Sequence, residues 1–421
     1  MSAERIVIEG GHPLKGSITV SGAKNAVLPI IAATLLSSTP CRIIETPRLA
    51  DVEIICQVLE SLGAKVKWLG RDLYVDASAI DRWEASDEIV RKMRASVLVM
   101  GPLLARLGRA KISQPGGCAI GTRPIDLHLK GFEAMGVTIR KEHGYVLAEN
   151  RCLKGARIYL DFPSVGATEN LMMAAALATG NTVIENAAEE PEIVDLANFI
   201  NSMGGRIRGA GTKVVKIEGV PELSGSEHQV IPDRIEAGSY LIAAAMTGGQ
   251  LTLENVIADH LKPVIAKLEE AGCHIYEGES SLRIKARSRL EATDIKTLPY
   301  PGFPTDMQAQ YMALMTKASG ASVITETVFE NRFMHAEELR RMGADIRING
   351  RSAVVQGPTL LQGAAVKATD LRAGAALVIA GLAAEGRTEI SNVHFIDRGY
   401  DDLVGKLQRV GAVISRINRA D

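Results

Sequence analysis

Six segments of this chain share one pattern, and this repetition limits the possible folds more than any other feature. Each segment has the end of a helix, a glycine and a short alternating strand; the first is LESLGAKVKW at 59–68 and the last LQRVGAVISR at 407–416. Glycine just after a helix is typical of a chain that must turn with a positive φ. The shared glycines follow one another at intervals of 68 to 73 residues: Gly63, Gly136, Gly204, Gly272, Gly343 and Gly411.

A second series of segments alternates with the first and predicts buried helices. These segments are rich in alanine, glycine and methionine and carry few charges, as in GATENLMMAAALATG at 166–180 and RAGAALVIAGLAAEG at 372–386. A helix without a polar face is expected to be buried on all sides. Each unit of about 70 residues then contains helices alternating with strands, which predicts an α/β fold made of six similar units.

The length of the chain favours two domains of three units each. A chain of 421 residues exceeds the usual size of one hydrophobic core. The polar, proline-containing stretch SGSEHQVIPDR at 224–234 separates the third unit from the fourth and is typical of a boundary. Because ligand sites favour clefts between domains, we expect an active site in the interdomain cleft, built from loops near the ends of the units.

The composition excludes several classes of partner. The formal net charge is −1, so no overall field attracts nucleic acid or an anionic membrane. The apolar runs are too short for a membrane span, and the first residues lack the pattern of a signal peptide. The five cysteines are an odd number, which suggests reduced thiols in the cytoplasm. No cysteine or histidine pair has metal-ligand spacing, so we expect no metal site.

The stretch SGAKNA at 21–26 is the first candidate for an anion site. Lys24 and Asn25 open a long helix that is otherwise uncharged. A lysine is unfavourable at a helix N-terminus unless an anion such as a phosphate is bound there. The alternative is an ordinary solvated lysine. The glycine patterns of dinucleotide and P-loop sites are absent, so side chains would have to hold a phosphate.

The loop PGGCAIGTRP places Cys118 among Gly116, Gly117 and Gly121. Such loops lie on the surface, whereas Cys56 and Cys273 fit ordinary buried positions. A nearby cation would lower the pKa of the Cys118 thiol and make it usable as an acid or nucleophile.

Arg123 follows this loop and precedes Pro124, which favours an extended backbone that presents the guanidinium to a carboxylate or phosphate. We expect residues 114–121 to close over the bound substrates as a lid.

Three further stretches combine acids with arginines at predicted helix starts. In FPTDMQAQ, Asp306 opens a helix, with Thr305 as a possible cap. In ATDLRAG, Asp370 is a cap candidate just before Arg372. Arg398 lies between two acids in FIDRGYDD. Each arrangement is compatible with simple stabilisation of a helix end or a surface ion pair.

The chain as a whole resembles the UDP-N-acetylglucosamine 1-carboxyvinyltransferase family of enolpyruvyl transferases. The resemblance rests on motifs along the whole length: SGAKNAVLPI, MRAS, PGGCAIGTRPIDLH, SVGAT, EPEIVD, FPTDMQAQ, TETVFENRFMH, DLRAGA and IDRGYDD. It implies a two-domain inside-out α/β barrel, with three βαβαββ repeats per domain around buried central helices. It also implies that residues 1–20 join residues 231–421 in the second domain, while residues 21–230 form the first domain and carry the Cys118 loop.

The resemblance implies transfer of the enolpyruvyl group of phosphoenolpyruvate to the 3-hydroxyl of UDP-N-acetylglucosamine, with release of phosphate. It implies small-molecule substrates and no metal or organic cofactor. By the same resemblance, Cys118 is the acid that handles the methylene proton, and Asp306 accepts the hydroxyl proton and binds the sugar. Phosphoenolpyruvate would be held by Lys24, Asn25, Arg123 and Arg398, of which Lys24 and Arg398 are also catalytic. Support would come from Asp370, Arg372 and Arg332.

The same resemblance assigns the contacts to the sugar nucleotide. They are Arg94, Arg123, Pro124, Ile125, Asp126, Leu127, Ser164, Val165, Gly166, Asp306 and Val328. One position departs from the pattern, because Phe162 stands where some family members have a lysine that contacts the nucleotide. The ring of Phe162 either stacks on uracil or simply packs.

Two other functions remain open from the residues. A 5-enolpyruvylshikimate-3-phosphate synthase would share the fold and the chemistry, but it would need a lysine-serine motif in place of SGAKN and it lacks the cysteine loop. A non-catalytic repeat scaffold would leave SGAKN and PGGCAIGTRP without a role.

Overall fold

The computed structural model describes residues 4–85, 87–90, 93–113, 120–121, 124–287 and 289–418. The chain divides into two compact units. The N-terminal unit is made of the described parts of Gly22–Gly117 and Arg123–Ile231, and the C-terminal unit of those of Met1–Ser21, Cys118–Thr122 and Pro232–Asp421. Ser21, Ile120 and Gly121 group with the C-terminal unit and Ile231 groups with the N-terminal unit, whereas the sequence predicts the opposite domain for each of them.

The strands are short and occur along the whole described chain. They are β1 (Glu4–Glu9), β2 (Lys15–Thr19), β3 (Cys41–Ile44), β4 (Lys65–Leu69), β5 (Asp72–Asp76), β6 (Arg109–Ser113), β7 (Thr138–Glu142), β8 (Tyr145–Glu149), β9 (Arg157–Tyr159), β10 (Asn181–Glu185), β11 (Arg206–Arg208), β12 (Val214–Glu218), β13 (Glu227–Gln229), β14 (Gln250–Glu254), β15 (His274–Glu277), β16 (Ser281–Lys285), β17 (Ile295–Lys296), β18 (Gly320–Thr325), β19 (Asp345–Asn349), β20 (Ser352–Gly357), β21 (Ala365–Lys367), β22 (Arg387–Ser391) and β23 (Val413–Asn418).

The helices alternate with these strands. They are α1 (Lys24–Ala33), α2 (Ala50–Ser61), α3 (Asp87–Val90), α4 (Met100–Leu107), α5 (Asp126–Ala134), α6 (Val165–Ala175), α7 (Pro191–Ser202), α8 (Arg234–Thr247), α9 (Lys262–Glu270), α10 (Gln308–Met315), α11 (His335–Arg341), α12 (Leu371–Ala383) and α13 (Leu403–Arg409). Short 3₁₀ helices cover Thr34–Leu36, Arg94–Val99, Ala258–Leu261, Thr305–Met307 and Val393–Arg398.

The six glycines of the repeated pattern all adopt the left-handed backbone that the sequence predicts. Their φ values lie between 88° at Gly136 and 103° at Gly204. Each glycine stands two residues after the end of a helix and two residues before the start of a strand, as Gly63 does between α2 and β4. A side chain with a Cβ is unfavourable in this conformation, which explains why glycine recurs at each of these turns.

The strands of the described residues form six sheets, three in each unit, and five of them have four strands. In the sheet β9-β10-β12-β11, the edge strand β9 runs parallel to β10, and the remaining pairs are antiparallel. The sheet β21-β22-β1-β23 joins distant parts of the chain, because β1 lies between β22 and β23 and pairs antiparallel with both. Glu4 stands opposite Asn418 in this sheet.

The small-residue helices are buried, as predicted. Helices α4 and α6 pack together inside the N-terminal unit, and α8, α10 and α12 pack together inside the C-terminal unit. Close approach depends on the small residues, since a Cβ at Gly101 would lie 2.3 Å from the Asn170 carbonyl oxygen. Each unit has its own hydrophobic core. Within the described residues, no helix combines the length and the apolar character needed to cross a bilayer.

Candidate functional site

Lys24 forms a largely buried ion pair at the start of α1. Its Nζ lies 2.8 Å from Oδ2 of Asp51, a residue in the first turn of α2. The Asp51 side chain is 2% exposed and that of Lys24 is 12% exposed, so the carboxylate lies behind the amine. Asn25 is half-buried in the same turn of α1. Sequence reasoning missed Asp51, because an acid in the first turn of a helix is an ordinary feature.

Ser164 caps α6, at the position where the sequence predicts nucleotide contacts. The Ser164 hydroxyl accepts a hydrogen bond from the backbone N–H of Ala167 at 3.3 Å, and its own N–H donates to the Phe162 carbonyl at 2.7 Å. Val165 and Gly166 form the first turn of the helix. The N–H groups at the start of a helix favour an anion.

The predicted contact residues after Arg123 lead into α5. Ile125 is buried, Leu127 is half-buried, and Pro124 and Asp126 are exposed. Asp126 begins the helix and lies 3.2 Å from Nζ of Lys141, in an exposed ion pair. Such a pair contributes little to stability, so nothing in it opposes a binding role for Asp126.

A buried histidine lies beside these residues. His128, in the first turn of α5, has a pKa lowered to about 4 by burial and by the Arg94 cation. Arg94 is half-buried at the start of the 3₁₀ helix Arg94–Val99, which packs against α1 and α6. Arg94, Gly166 and His128 therefore lie in one neighbourhood of the N-terminal unit.

Asp306 is the centre of a second cluster, in the C-terminal unit. Its Oδ1 accepts from Nη2 of Arg332 at 2.9 Å, and its Oδ2 accepts from Nη2 of Arg372 at 3.0 Å. Both arginine side chains are 3% exposed, whereas the Asp306 side chain is 24% exposed. Here the cations lie behind the acid, which is the reverse of the order at Lys24.

The start of α12 fixes one of these arginines. Asp370 caps the helix as predicted, and its Oδ1 accepts from the backbone N–H of Arg372 at 2.8 Å and of Ala373 at 3.1 Å. The guanidinium of Arg372 lies 5.7 Å from the centre of the Tyr400 ring. Burial lowers the pKa of Arg372, but Asp306, Tyr400 and Asp233 together outweigh this effect, so the pKa is raised and the side chain stays charged.

Glu326 contacts two segments of the predicted site, and the sequence alone did not predict this. This buried carboxylate accepts from the Thr305 hydroxyl at 2.9 Å and from the backbone N–H of Val328 at 2.8 Å. It therefore links the residue before Asp306 to Val328, a predicted nucleotide contact. Thr305 is the first residue of the 3₁₀ helix Thr305–Met307 and not its N-cap, which is Pro304, and its hydroxyl donates to Glu326.

Arg398 ends the 3₁₀ helix Val393–Arg398 and is half-buried. This helix packs against α12, which carries Arg372. The Tyr400 hydroxyl, two residues later, lies 2.8 Å from Oγ of Ser239. The C-terminal unit thus places Arg398 on an element adjacent to the Asp306 cluster.

The predicted cysteine loop lies mostly outside the part of the chain that the structure describes. Residues 114–119, 122 and 123 lie outside the described residues, and with them Cys118, Arg123 and most of the predicted lid. Of the neighbouring residues, Ile120 accepts a backbone hydrogen bond from Asn331 at 3.1 Å within the C-terminal unit. Phe162 is 46% exposed, so its ring is not packed in a core.

Metal binding has no support in the part of the chain that the structure describes. No group of three or more histidine, cysteine, aspartate or glutamate side chains there is arranged to hold a metal ion. The described clusters instead combine a cation and an acid next to the surface. Such groups can bind a small anion and accept a proton or hydrogen bond from a hydroxyl.

Comparison with known proteins gives consistent matches over nearly the whole chain. Residues 8–407 match the family model of EPSP synthase (3-phosphoshikimate 1-carboxyvinyltransferase). UDP-N-acetylglucosamine 1-carboxyvinyltransferase 1 of Caldanaerobacter subterraneus subsp. tengcongensis is 61% identical over 98% of this chain and 99% of that protein. UDP-N-acetylglucosamine 1-carboxyvinyltransferase 2 of Carboxydothermus hydrogenoformans is 60% identical over 99% of this chain and 100% of that protein.

Solved structures agree on the fold. The enolpyruvyl transferase NikO from Streptomyces tendae matches with a TM-score of 0.90 and 27% identity, covering 99% of each chain. EPSP synthase from Acinetobacter baumannii matches with a TM-score of 0.77 and 18% identity, covering 98% of this chain and 100% of that one. The second likeness concerns the fold alone.

Proposed function

Because this chain belongs to the enolpyruvyl transferase family and, within it, to the UDP-N-acetylglucosamine 1-carboxyvinyltransferases, we propose that it transfers the enolpyruvyl group of phosphoenolpyruvate to the 3-hydroxyl of UDP-N-acetylglucosamine. Phosphate is released, and the product enters peptidoglycan synthesis at its first committed step. The observation that carries this proposal is the 61% identity over nearly the full length of a protein with that name.

Lys24 binds the anionic donor. Its amine lies at the outer side of the pair with Asp51, so it presents a positive charge to a carboxylate or phosphate. Asn25, Arg123 and Arg398 complete the binding of phosphoenolpyruvate. Fixed charges of this kind stabilise the charge that develops in the transition state.

Asp306 receives the proton of the 3-hydroxyl. Its carboxylate is the more exposed member of its cluster, and Arg332 and Arg372 hold one oxygen each. Asp370 positions Arg372 by capping α12. The two arginines thereby fix the orientation of the carboxylate toward the acceptor sugar.

The reaction proceeds by addition and elimination. Cys118 gives a proton to the terminal CH₂ of phosphoenolpyruvate, which makes the adjacent carbon electrophilic. The 3-hydroxyl oxygen bonds to that carbon and its proton goes to Asp306. The Cys118 thiolate then takes a proton back from the new methyl group, the bond to the phosphate oxygen breaks so that phosphate leaves, and the enolpyruvyl double bond forms again. The reaction is acid–base chemistry and needs no metal or organic cofactor.

The sugar nucleotide is bound mainly by the N-terminal unit, at Arg94, residues 123–127 and the start of α6 at residues 164–166. The C-terminal unit adds Asp306 and Val328. We also propose that the six sheets and their helices are six βαβαββ repeats of an inside-out α/β barrel. A separate proposal concerns location: the enzyme is cytoplasmic, where its substrates and reduced thiols occur.

Release of phosphate from phosphoenolpyruvate tests the proposal directly. We expect release with UDP-N-acetylglucosamine and none without an acceptor. Release with shikimate 3-phosphate in its place would favour a 5-enolpyruvylshikimate-3-phosphate synthase. No release with either acceptor would favour a scaffold without catalytic activity and would contradict the proposal.

Alkylation tests the role of Cys118. Fosfomycin, an epoxide that mimics phosphoenolpyruvate, should label Cys118 and spare the buried cysteines. Burial raises the pKa of Cys56 to about 12 and of Cys273 to about 11, so few of these thiols are ionised at neutral pH. Peptide mass mapping gives the labelled position, with Cys118→Ser as the control. Label on exposed Cys152 in wild type would reject the assignment.

A further inference from the structure

The side-chain amide of Asn170 is completely buried in α6 and its orientation is fixed by the backbone. Oδ1 accepts from the N–H of Gly101 at 2.7 Å, and Nδ2 donates to the Val97 carbonyl at 2.9 Å. Exchange of the oxygen and nitrogen would place like groups against each other at both contacts. The NH₂ group of Asn170 therefore has one N–H left for a third partner.

That third partner is His128. Nδ1 of the imidazole lies 3.1 Å from Nδ2 of Asn170. Because Nδ2 is a donor, Nδ1 must accept and cannot carry a proton. The low pKa of His128, which follows from burial and from Arg94, keeps the ring neutral. A neutral ring without a proton on Nδ1 carries its proton on Nε2.

The protonated edge of the ring faces the first turn of α6. A methyl group at Gly166 would lie 3.4 Å from Cε1 and 3.5 Å from Nε2 of His128. The His128 side chain thus runs beside the turn that Ser164 caps, where N–H groups favour an anion. Arg94 is close enough to act on the same histidine.

We propose that Asn170 is a positioning residue that holds His128 as the Nε2–H tautomer, so that His128 donates a hydrogen bond to the diphosphate of the sugar nucleotide at the start of α6. The inference rests on the proposed function, because the anion is the diphosphate of the proposed acceptor. With the opposite tautomer, a nitrogen lone pair would face the phosphate oxygens and repel them. Asn170 therefore acts on binding through His128.

Nuclear magnetic resonance of ¹⁵N-histidine-labelled protein reads the tautomer directly. His128→Phe identifies the resonances of His128 by their loss. We expect an unprotonated Nδ1 and a protonated Nε2 in the wild type, and a shift of the Nε2 resonance when UDP-N-acetylglucosamine is added. A proton on Nδ1, or an Nε2 resonance that saturating nucleotide leaves unchanged, would overturn the inference.

Kinetics test the hydrogen bond itself. His128→Phe keeps the ring volume and removes the donor, so the KM for UDP-N-acetylglucosamine should rise roughly 10- to 100-fold, the effect of one hydrogen bond to a charged group. The kcat should change by less than about threefold, as for a contact made equally in ground and transition states. The KM for phosphoenolpyruvate should stay unchanged.

His228→Phe is the control for a general structural effect, since His228 also packs in the N-terminal unit, 5.2 Å from the Phe199 ring, and loses its contact with Asp195 at 2.9 Å in this variant. An equal rise of KM in both variants would mean a general structural effect and would contradict the proposal. Asn170→Leu should give a mixture of His128 tautomers and a raised KM. If His128 keeps its proton on Nε2 in this variant, Asn170 does not position it.

The outcomes separate this inference from the proposed function. If the wild type releases no phosphate with UDP-N-acetylglucosamine, the proposed function fails, whatever tautomer His128 adopts. If the wild type is active and His128→Phe has the wild-type KM, the function stands and this inference fails.

Discussion

The Lys24 pair in the N-terminal unit and the Asp306 cluster in the C-terminal unit differ in which charge is the more exposed. In the first, the acid Asp51 is buried and the amine of Lys24 lies outside it. In the second, Arg332 and Arg372 are buried and the acid Asp306 lies outside them. An isolated buried charge is unfavourable, so each inner group needs the outer one as its partner.

This difference shows how an ion pair can present either sign of charge. The inner member compensates the outer one and restricts its position, while the outer member keeps access to a ligand. A pair with the cation outside suits an anionic donor, and a cluster with the carboxylate outside suits a hydroxyl that must lose its proton. Exchanging or neutralising single members therefore tests which member acts on the substrate.

Loss of the Asp306 charge should have the largest effect. Asp306→Asn keeps the shape but removes the proton acceptor, so kcat should fall about 10²- to 10⁴-fold. It also leaves two buried arginines without their carboxylate, so the melting temperature should fall as well. Steady-state kinetics and thermal unfolding measure the two effects. Turnover within about threefold of wild type would mean that Asp306 is only a structural partner of the arginines.

A double variant should separate binding from stability at Lys24. Lys24→Gln removes the outer cation, which should raise the KM for phosphoenolpyruvate roughly 10-fold or more. It should also lower the unfolding free energy, because the buried carboxylate of Asp51 loses the Lys24 cation.

Adding Asp51→Asn should restore most of the stability but not the KM. Denaturant unfolding and kinetics on the single and double variants form a cycle that measures the coupling. If the second change restores the KM too, the lysine acts on the fold and not on the substrate.

The smallest expected effect is a change in stability at Glu169, a buried acid. Oε1 of Glu169, in α6, has no hydrogen-bond partner among the described residues, whereas Glu236, in α8, pairs with Lys406 at 2.5 Å. Burial, followed by the charges of Glu192 and Glu190, raises the pKa of Glu169 well above 4.5. A raised pKa of an acid means that stability is lost as the pH rises above the unfolded value.

The melting temperature of Glu169→Gln should therefore rise relative to that of the wild type as the pH increases from about 5 to 8. Each 1 kcal/mol gained in unfolding free energy should raise it by about 2–4 °C. The gain should vanish near pH 4. Burial raises the pKa of Glu236 as well, but Lys406 opposes this shift; Glu236→Gln, the control, should therefore lower the melting temperature at neutral pH, because Lys406 loses its carboxylate partner. A pH-independent difference for Glu169→Gln would contradict the raised pKa.

Features that depend on neighbouring residues in the chain could be predicted from the sequence. The left-handed turn at Gly136 and the cap at Asp370 follow local rules of backbone geometry and hydrogen bonding. The burial of α6 follows from its composition. Such rules involve only a few consecutive residues, which the sequence shows directly.

Features that depend on tertiary contacts could not be predicted from the residues alone. The pair between Lys24 and Asp51 joins two helices, and Glu326 reaches Thr305 across 21 positions. Their sequence signals are those of ordinary helix ends and strand ends. The place of β1 in the second domain was expected only through family resemblance, since no local pattern links residues at opposite ends of a chain.

The position of β1 between β22 and β23 also affects the order in which the units can fold during synthesis. A ribosome releases β1 first, but its neighbours appear only when almost all of the chain has been made. The N-terminal unit, by contrast, draws its helices and strands from residues that emerge within one continuous stretch of translation. It can therefore fold early, whereas β1 must stay unpaired until β22 emerges and the long loop closes.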